Sequence, residues 1–103
     1  MEYCMIETAF DNKKELDKVV EQLLKNKLAA SCQVIESNSK WIWEGQLEEA
    51  KEFLLLLKTK KKLVKEIHQI IKNNHSYDCF EFATFDLTSC SKEYLNWIKK
   101  ETK

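Results

Sequence analysis

The chain has 103 residues, of which 44% are hydrophobic and 33% charged, and this composition favours a single folded domain spanning residues 1–103. Seventeen basic and seventeen acidic residues cancel, so no net charge points to nucleic acid or an anionic membrane as a partner. Every basic residue is lysine, which excludes sites built on the bidentate guanidinium of arginine. One glycine and no proline exclude the glycine-rich phosphate-binding loops.

The cysteines and the N-terminal segment indicate the compartment. Four cysteines are widely spaced and form no C-x-x-C pair, unlike the ligands of a zinc finger or a small disulfide framework. The first residues show no signal-type apolar stretch, and no apolar run approaches the ~20 residues that span a bilayer. We therefore expect a cytoplasmic protein with reduced thiols and no membrane span.

The first elements are a strand and a helix. Residues 3–9 are a short, mostly apolar run typical of a buried strand. Asn12, with Glu15 three residues later, resembles a capping box at the start of a helix. The apolar residues that follow have the spacing of one helical face: Leu16, Val19, Val20, Leu23 and Leu24.

A long β-hairpin is predicted next. Residues 28–43 favour an extended segment with a polar interruption at 36–40, and Gly45 marks the turn. The return strand is expected over 47–59. Its apolar run 53–57 could by itself be a helix, but its place after a turn favours a central strand.

The tip of this hairpin carries two tryptophans. Trp41 and Trp43 alternate with Ile42, so both indoles point to the same side. The hairpin arms approach or exceed the usual strand length of 3–10 residues, and an exposed apolar edge favours association. We expect Trp41 and Trp43 to anchor an interface between copies of the chain, with stacking on a nucleic-acid base the less favoured interpretation.

The remaining elements complete the fold class. A second helix is expected after Thr59 as its cap, then a strand over 78–87 and a short last helix capped by Ser91. The second helix buries one apolar face: Leu63, Val64, Ile67, Ile70 and Ile71. The order β-α-β-β-α-β-α predicts an α+β ferredoxin-like sandwich with a four-stranded antiparallel sheet and an extra C-terminal helix.

Several short sequence motifs along the chain resemble those of one protein family. Residues 75–81, His-Ser-Tyr-Asp-Cys-Phe-Glu, are similar to the H-P-Y-E-x-P-E signature of the divalent-cation tolerance family CutA, although both prolines are replaced and Asp78 stands for glutamate. The extra Ser31 shifts Cys32 by one place from its position in the family pattern. Other segments match in the same order along the chain: K-L-A-A-S-C at 27–32, W-E-G-Q-L-E-E at 43–49, L-L-L-K-T at 55–59 and Y-L-N-W-I at 94–98.

The resemblance implies a fold, an assembly and a function. A CutA protein is a ferredoxin-like domain that forms a compact homotrimer, related to the signalling trimers of the PII class, and takes part in tolerance of divalent metals such as copper. We therefore expect a non-catalytic trimer that binds a metal or small ligand between subunits. An acylphosphatase-like enzyme of this fold would need an arginine-based phosphate cradle, which the chain lacks.

The segment 75–81 supplies candidate metal ligands. Strand alternation would place Tyr77, Cys79 and Glu81 on one face, with His75 just before them. Imidazole, thiolate and carboxylate form a mixed donor set suited to copper or zinc, and Cys32 or a second chain would have to complete it. The alternative is structural: His75 would hydrogen-bond the helix end, Glu81 would be a paired interface acid, and Cys32 a small buried hydrophobe.

A second candidate site is basic. Lysines cluster where the second helix is expected to begin, and cations are unfavourable at that end of a helix unless an anion offsets them. They suggest a PII-like regulatory trimer that binds a small anion or nucleotide there, with Tyr77 as a further contact. The alternatives are acidic residues of a neighbouring chain and a solvated lysine face. The cluster consists of Lys58, Lys60, Lys61, Lys62 and Lys65.

Overall fold

A four-stranded antiparallel sheet organises the chain. The structure is a computed structural model that describes residues 2–103. Its sheet has the strand order β2-β3-β1-β4, which confirms the predicted ferredoxin-like arrangement. The elements in chain order are β1 (Tyr3–Phe10), α1 (Lys13–Lys25), β2 (Ser31–Trp43), β3 (Gln46–Lys60), α2 (Val64–Asn74), β4 (Phe82–Asp86) and α3 (Lys92–Glu101).

The apolar run of β3 divides between the two faces of the sheet. Leu55 and Leu57 are fully buried, and Ile6 of β1 lies opposite Leu57. We call their side of the sheet the first face, because it packs against the apolar faces of α1 and α2. The helix residues of this core are Leu16, Val19, Leu23, Ile67 and Ile71. The run 53–57 is thus a central strand, as predicted.

The opposite side of the sheet, the second face, is also apolar. Side chains alternate along a strand, so Leu54 and Leu56 point to this face and are only half-buried. Ile35 of β2 lies opposite Leu54 and is 49% exposed, and Phe85 of β4 is 47% exposed. The second face therefore carries apolar surface that the chain itself leaves accessible to solvent.

The hairpin of β2 and β3 is longer than the rest of the sheet. The two strands have 13 and 15 residues and are joined by a two-residue turn in which Glu44 and Gly45 have φ values of 51° and 79°. Pairing continues through residues 36–40, where Lys40 lies opposite Glu49, so the predicted interruption of β2 is wrong. Strand β2 begins at Ser31 rather than at residue 28, after a turn near Lys27 with φ 57°.

Two helix caps form as predicted. Asn12 Oδ1 accepts a hydrogen bond from Glu15 N at 3.1 Å, and Ser91 Oγ accepts one from Tyr94 N at 3.3 Å. None of the helices within residues 2–103 has the length and hydrophobicity to cross a bilayer.

The predicted cap at Thr59 is wrong. Thr59 belongs to β3, is fully buried, and donates its hydroxyl hydrogen bond to the Leu28 carbonyl at 2.5 Å. A short 3-10 turn, Lys61–Leu63, separates the strand from α2. The threonine therefore ties the start of the hairpin to β3 instead of capping a helix.

Adjacent leucines of α1 test the first-face core. Leu23 is fully buried and Leu24 is 43% exposed. We expect Leu23→Ala to lower the free energy of unfolding by about 2–5 kcal/mol because it leaves a cavity, and Leu24→Ala to lower it by less than about 1 kcal/mol. Urea unfolding of both variants at one protein concentration measures the difference. Equal losses would contradict this assignment of the core.

Candidate ligand-binding groove

A groove of about 930 Å³ lies between the hairpin and the segment 76–81. We call it the hairpin groove. The hairpin contributes Trp41, Trp43 and Glu52 to its lining, and the segment contributes Tyr77 and Glu81 among others. Trp43 is 48% exposed. The groove thus combines indole rings with carboxylates.

The groove wall formed by residues 76–81 is a loop. Strand β4 begins only at Phe82, so the predicted strand over 78–87 is too long. The Thr8 hydroxyl donates to the Glu81 carbonyl at 2.6 Å, directly before β4 begins. Tyr77, Cys79 and Glu81 line the groove, but so do the residues between them, so the predicted alternation does not set these three apart.

Carboxylates dominate the electrostatics at the inner end of the groove. Partial desolvation, together with the negative charges of Glu7 and Glu52, raises the pKa of Glu81. Lys40 also lines the groove, but its ammonium group lies 3.7 Å from Glu49, an acid outside the lining. The groove therefore offers negative potential, which favours a cationic ligand over an anionic one.

Glu52 is held by Tyr77. It is only 8% exposed, and its Oε2 accepts a hydrogen bond from the Tyr77 hydroxyl at 3.3 Å. Desolvation and the nearby charges of Asp11 and Glu52 raise the pKa of Tyr77 to about 12, so the phenol stays protonated at neutral pH. Glu52 is not among the metal ligands predicted from the sequence. In the sequence, Glu52 is distinguished only by its place directly before the apolar run 53–57 of the central strand.

The structure separates the three predicted metal ligands His75, Cys32 and Glu81. Cys32 pairs with Leu57 on the first face, whereas Glu81 lies near the carboxylate of Glu7 on the second. Both ring nitrogens of His75 are engaged by backbone groups. Within the described chain, no three His, Cys, Asp or Glu side chains are placed to hold a metal ion.

The predicted basic site does not include Tyr77. Tyr77 contacts Glu52, eight residues before Lys60 on β3, which corresponds to roughly 26 Å along the strand. Lys58 Nζ donates to the Gln33 side chain at 2.9 Å. Two further lysines of the cluster have partners: Lys60 Nζ donates to the Thr102 carbonyl at 3.0 Å, and Lys61 pairs with Asp86 at 2.9 Å. Tyr77 thus lies beside the middle of β3, whereas these lysines lie at or just beyond its C-terminal end.

The burial of Cys32 predicts low thiol reactivity. Desolvation raises its pKa to about 11, so only about one thiol in a thousand is ionised at pH 8. We expect iodoacetamide to alkylate the exposed Cys79 first and Cys32 much more slowly. The Cys32 rate should rise about tenfold per pH unit between pH 8 and 10. Mass spectrometry of alkylated peptides measures both sites, and equal rates at pH 8 would contradict the prediction.

Comparison with known proteins places the chain in a family. Residues 4–101 match the family model of the CutA1 divalent ion tolerance protein. The divalent-cation tolerance protein CutA of Pyrococcus horikoshii is 35% identical over 99 residues, which cover 96% of this chain and 97% of that protein. Protein CutA, chloroplastic, of Arabidopsis thaliana is 30% identical over 89% of this chain and 51% of its own length.

Solved structures agree with this assignment. The crystal structure of CutA1 from Pyrococcus horikoshii has a TM-score of 0.89 at 34% identity and covers 97% of this chain and 98% of that one. The structure described as the periplasmic divalent cation tolerance protein CutA from Archaeoglobus fulgidus has a TM-score of 0.93 at 28% identity, with 98% and 99% of the two chains covered. The match of sequence and fold over almost the whole chain shows that it belongs to the CutA1 divalent ion tolerance family.

Proposed function

We propose that this protein is a homotrimeric, non-catalytic binding protein for divalent cations such as copper, and that it acts in tolerance of those ions. The observation that carries the proposal is the carboxylate-rich hairpin groove, where Glu81 lies close to Glu7 and Glu52. The Pyrococcus and Archaeoglobus relatives are named for divalent-cation tolerance, which supports the same role here.

The donors of the groove fit a divalent transition metal. Glu52 and Glu81 offer carboxylate oxygens, and the exposed Cys79 adds a thiol to the same lining. Oxygen and sulfur donors together suit copper or zinc better than calcium or magnesium. Binding rather than catalysis is further supported by Cys32, because burial keeps this thiol protonated and therefore a poor nucleophile.

The alternative function, a PII-like regulatory trimer that binds an anion at the lysine cluster, has less support. Lys60 and Lys61 already interact with a backbone carbonyl and with Asp86 inside the chain. An anion would have to compete with these partners.

Assembly would complete the groove. The second face exposes Ile35 and Phe85 by almost half of their surface, and a monomer rarely leaves such a patch uncovered. Trp41 and Trp43 line the groove and, as tryptophans commonly do at interfaces, would anchor a neighbouring copy. We infer three copies from the resemblance to CutA trimers, and a second copy would supply the donors that one chain does not bring together.

The four free cysteines bear on the compartment. Cys4 is buried, and Cys32 and Cys90 are partly buried, without disulfide partners among the described residues. Reduced thiols are typical of the cytoplasm, and we propose that location. The chloroplastic and periplasmic relatives indicate that members of the family occur in more than one compartment.

Metal titration tests the groove. We expect Cu(II) and Zn(II) to bind the wild-type protein, and Glu52→Gln and Glu81→Gln each to weaken binding at least about tenfold, because each removes a carboxylate charge. Glu49→Gln is the matched control, since this exposed acid lies outside the groove and pairs with Lys40. Isothermal titration calorimetry on protein purified without an affinity tag measures the affinities. Equal affinities of all three variants would refute a cation site at this place.

Light scattering tests the assembly. Ile35→Lys places a charge on the second face, at a position exposed enough to tolerate lysine in one folded chain. We expect this variant to be a folded monomer at micromolar concentration and the wild type to be a trimer, because burying an unpaired ammonium group at an interface is unfavourable. Leu24→Lys, on the exposed side of α1, should remain trimeric. A trimeric Ile35→Lys variant would exclude the second face as the interface.

A further inference from the structure

His75 has no nitrogen available for a metal. Its Nε2 lies 2.6 Å from the carbonyl oxygen of Ala9, and its Nδ1 lies 3.0 Å from the backbone nitrogen of Tyr77. A carbonyl can only accept a hydrogen bond and an amide can only donate one. The two partners therefore require a neutral imidazole with the proton on Nε2 and a lone pair on Nδ1.

The faces of the ring are also occupied. The ring of Phe10 in β1 stacks on the His75 ring at a centroid distance of 4.4 Å, with an interplanar angle of 19°. The ring of Phe80 in the groove wall also stacks on His75, at a centroid distance of 4.7 Å and an interplanar angle of 13°. His75 thus joins β1 to the loop 76–81 through both its nitrogens and its stacking contacts.

The hydrogen bond from Tyr77 N to His75 fixes the start of the groove wall. Ser76, between the two residues, donates from its backbone N to Glu15 Oε1 at 2.9 Å and from its hydroxyl to Asp11 Oδ1 at 3.0 Å. With this backbone held, the Tyr77 hydroxyl reaches the buried carboxylate of Glu52. The chain of contacts runs from His75 through Tyr77 to a groove carboxylate.

We propose that His75 is a positioning residue of the hairpin groove: as a neutral Nε2–H imidazole it fixes the Tyr77 amide, and thereby Tyr77 and Glu52, without itself binding the ligand. The structural part of this proposal rests on the contacts of His75 alone. Its consequence for metal affinity rests on the proposed function.

Nitrogen NMR on the wild-type protein tests the tautomer. We expect the ¹⁵N spectrum of His75 to show a protonated Nε2 and an unprotonated Nδ1 at neutral pH, with His68, the other histidine of the chain, as internal reference. Addition of Zn(II) up to saturation of the groove should leave both His75 nitrogens in place. The opposite tautomer, or a shift of either nitrogen to a metal-coordinated position, would overturn the proposal.

Two substitutions separate positioning from packing and from ligation. His75→Asn keeps a side-chain oxygen that can accept from the amide two residues on, as in an Asx-turn, but loses the ring. His75→Phe keeps an aromatic ring between Phe10 and Phe80 but has no acceptor. We expect the Tyr77 amide to exchange with solvent slowly in the wild type and in His75→Asn, and at least about tenfold faster in His75→Phe.

Zinc affinity should follow the same order. We expect His75→Asn to bind within about threefold of the wild type and His75→Phe to lose at least about tenfold, the range typical of residues that orient a metal ligand. An equal loss in both variants would identify His75 as a ligand, and wild-type behaviour of His75→Phe would reduce its role to packing. Either result refutes the proposal. If zinc does not bind the wild type, the proposed function fails, and the amide exchange and the tautomer still decide the role of His75.

Discussion

The pairing of β3 with both β1 and β2 is the constraint on which the rest of the structure depends. β3 pairs with β1 from Phe53 to Lys60 and with β2 along almost its whole length. Because side chains alternate along a strand, its apolar run supplies Leu55 and Leu57 to the core and Leu54 and Leu56 to the second face. The helices cover one of these apolar surfaces. The same run that completes the core therefore also creates a surface suited to association.

The hairpin groove follows from the part of β3 that extends beyond β1. Residues 46–52 pair only with β2, so the hairpin projects past the sheet and the loop 76–81 packs near its base. Glu52 lies where the pairing with β1 ends, which places its carboxylate in the protected angle between hairpin and loop. Glu49, three residues nearer the tip, is exposed and pairs only with Lys40. Glu48, one residue nearer the tip than Glu49, lines the groove together with Glu52. Side-chain alternation along the strand, rather than residue type, therefore separates a groove carboxylate from a surface one.

Local interactions were predictable from the sequence, and long-range ones were not. Asn12 and Ser91 each bond an amide three residues away, so a short sequence pattern contains the whole interaction. The hydroxyl of Thr59 bonds a carbonyl 31 residues away, and no local pattern distinguishes that role from a helix cap. The loop 78–81 was predicted as strand for the same reason. Its alternating residues resemble a strand, and the contact of Thr8 with the Glu81 carbonyl, 73 residues apart in the chain, cannot be inferred from them.

The sequence by itself determined the order of the elements, the ferredoxin-like topology, the long tryptophan-bearing hairpin and the family, because each depends on periodicity or on motifs within a few residues. Only the tertiary structure decided that Cys32 and Glu81 lie on opposite faces, that Glu52 joins Tyr77 in the groove, and that His75 has both nitrogens engaged. The physical reason is that ligand sets and hydrogen-bond partners join segments far apart in the chain. Strand register and the path of the 75–81 loop determine which of these groups come close together. Neither can be predicted from the spacing of residues within one segment.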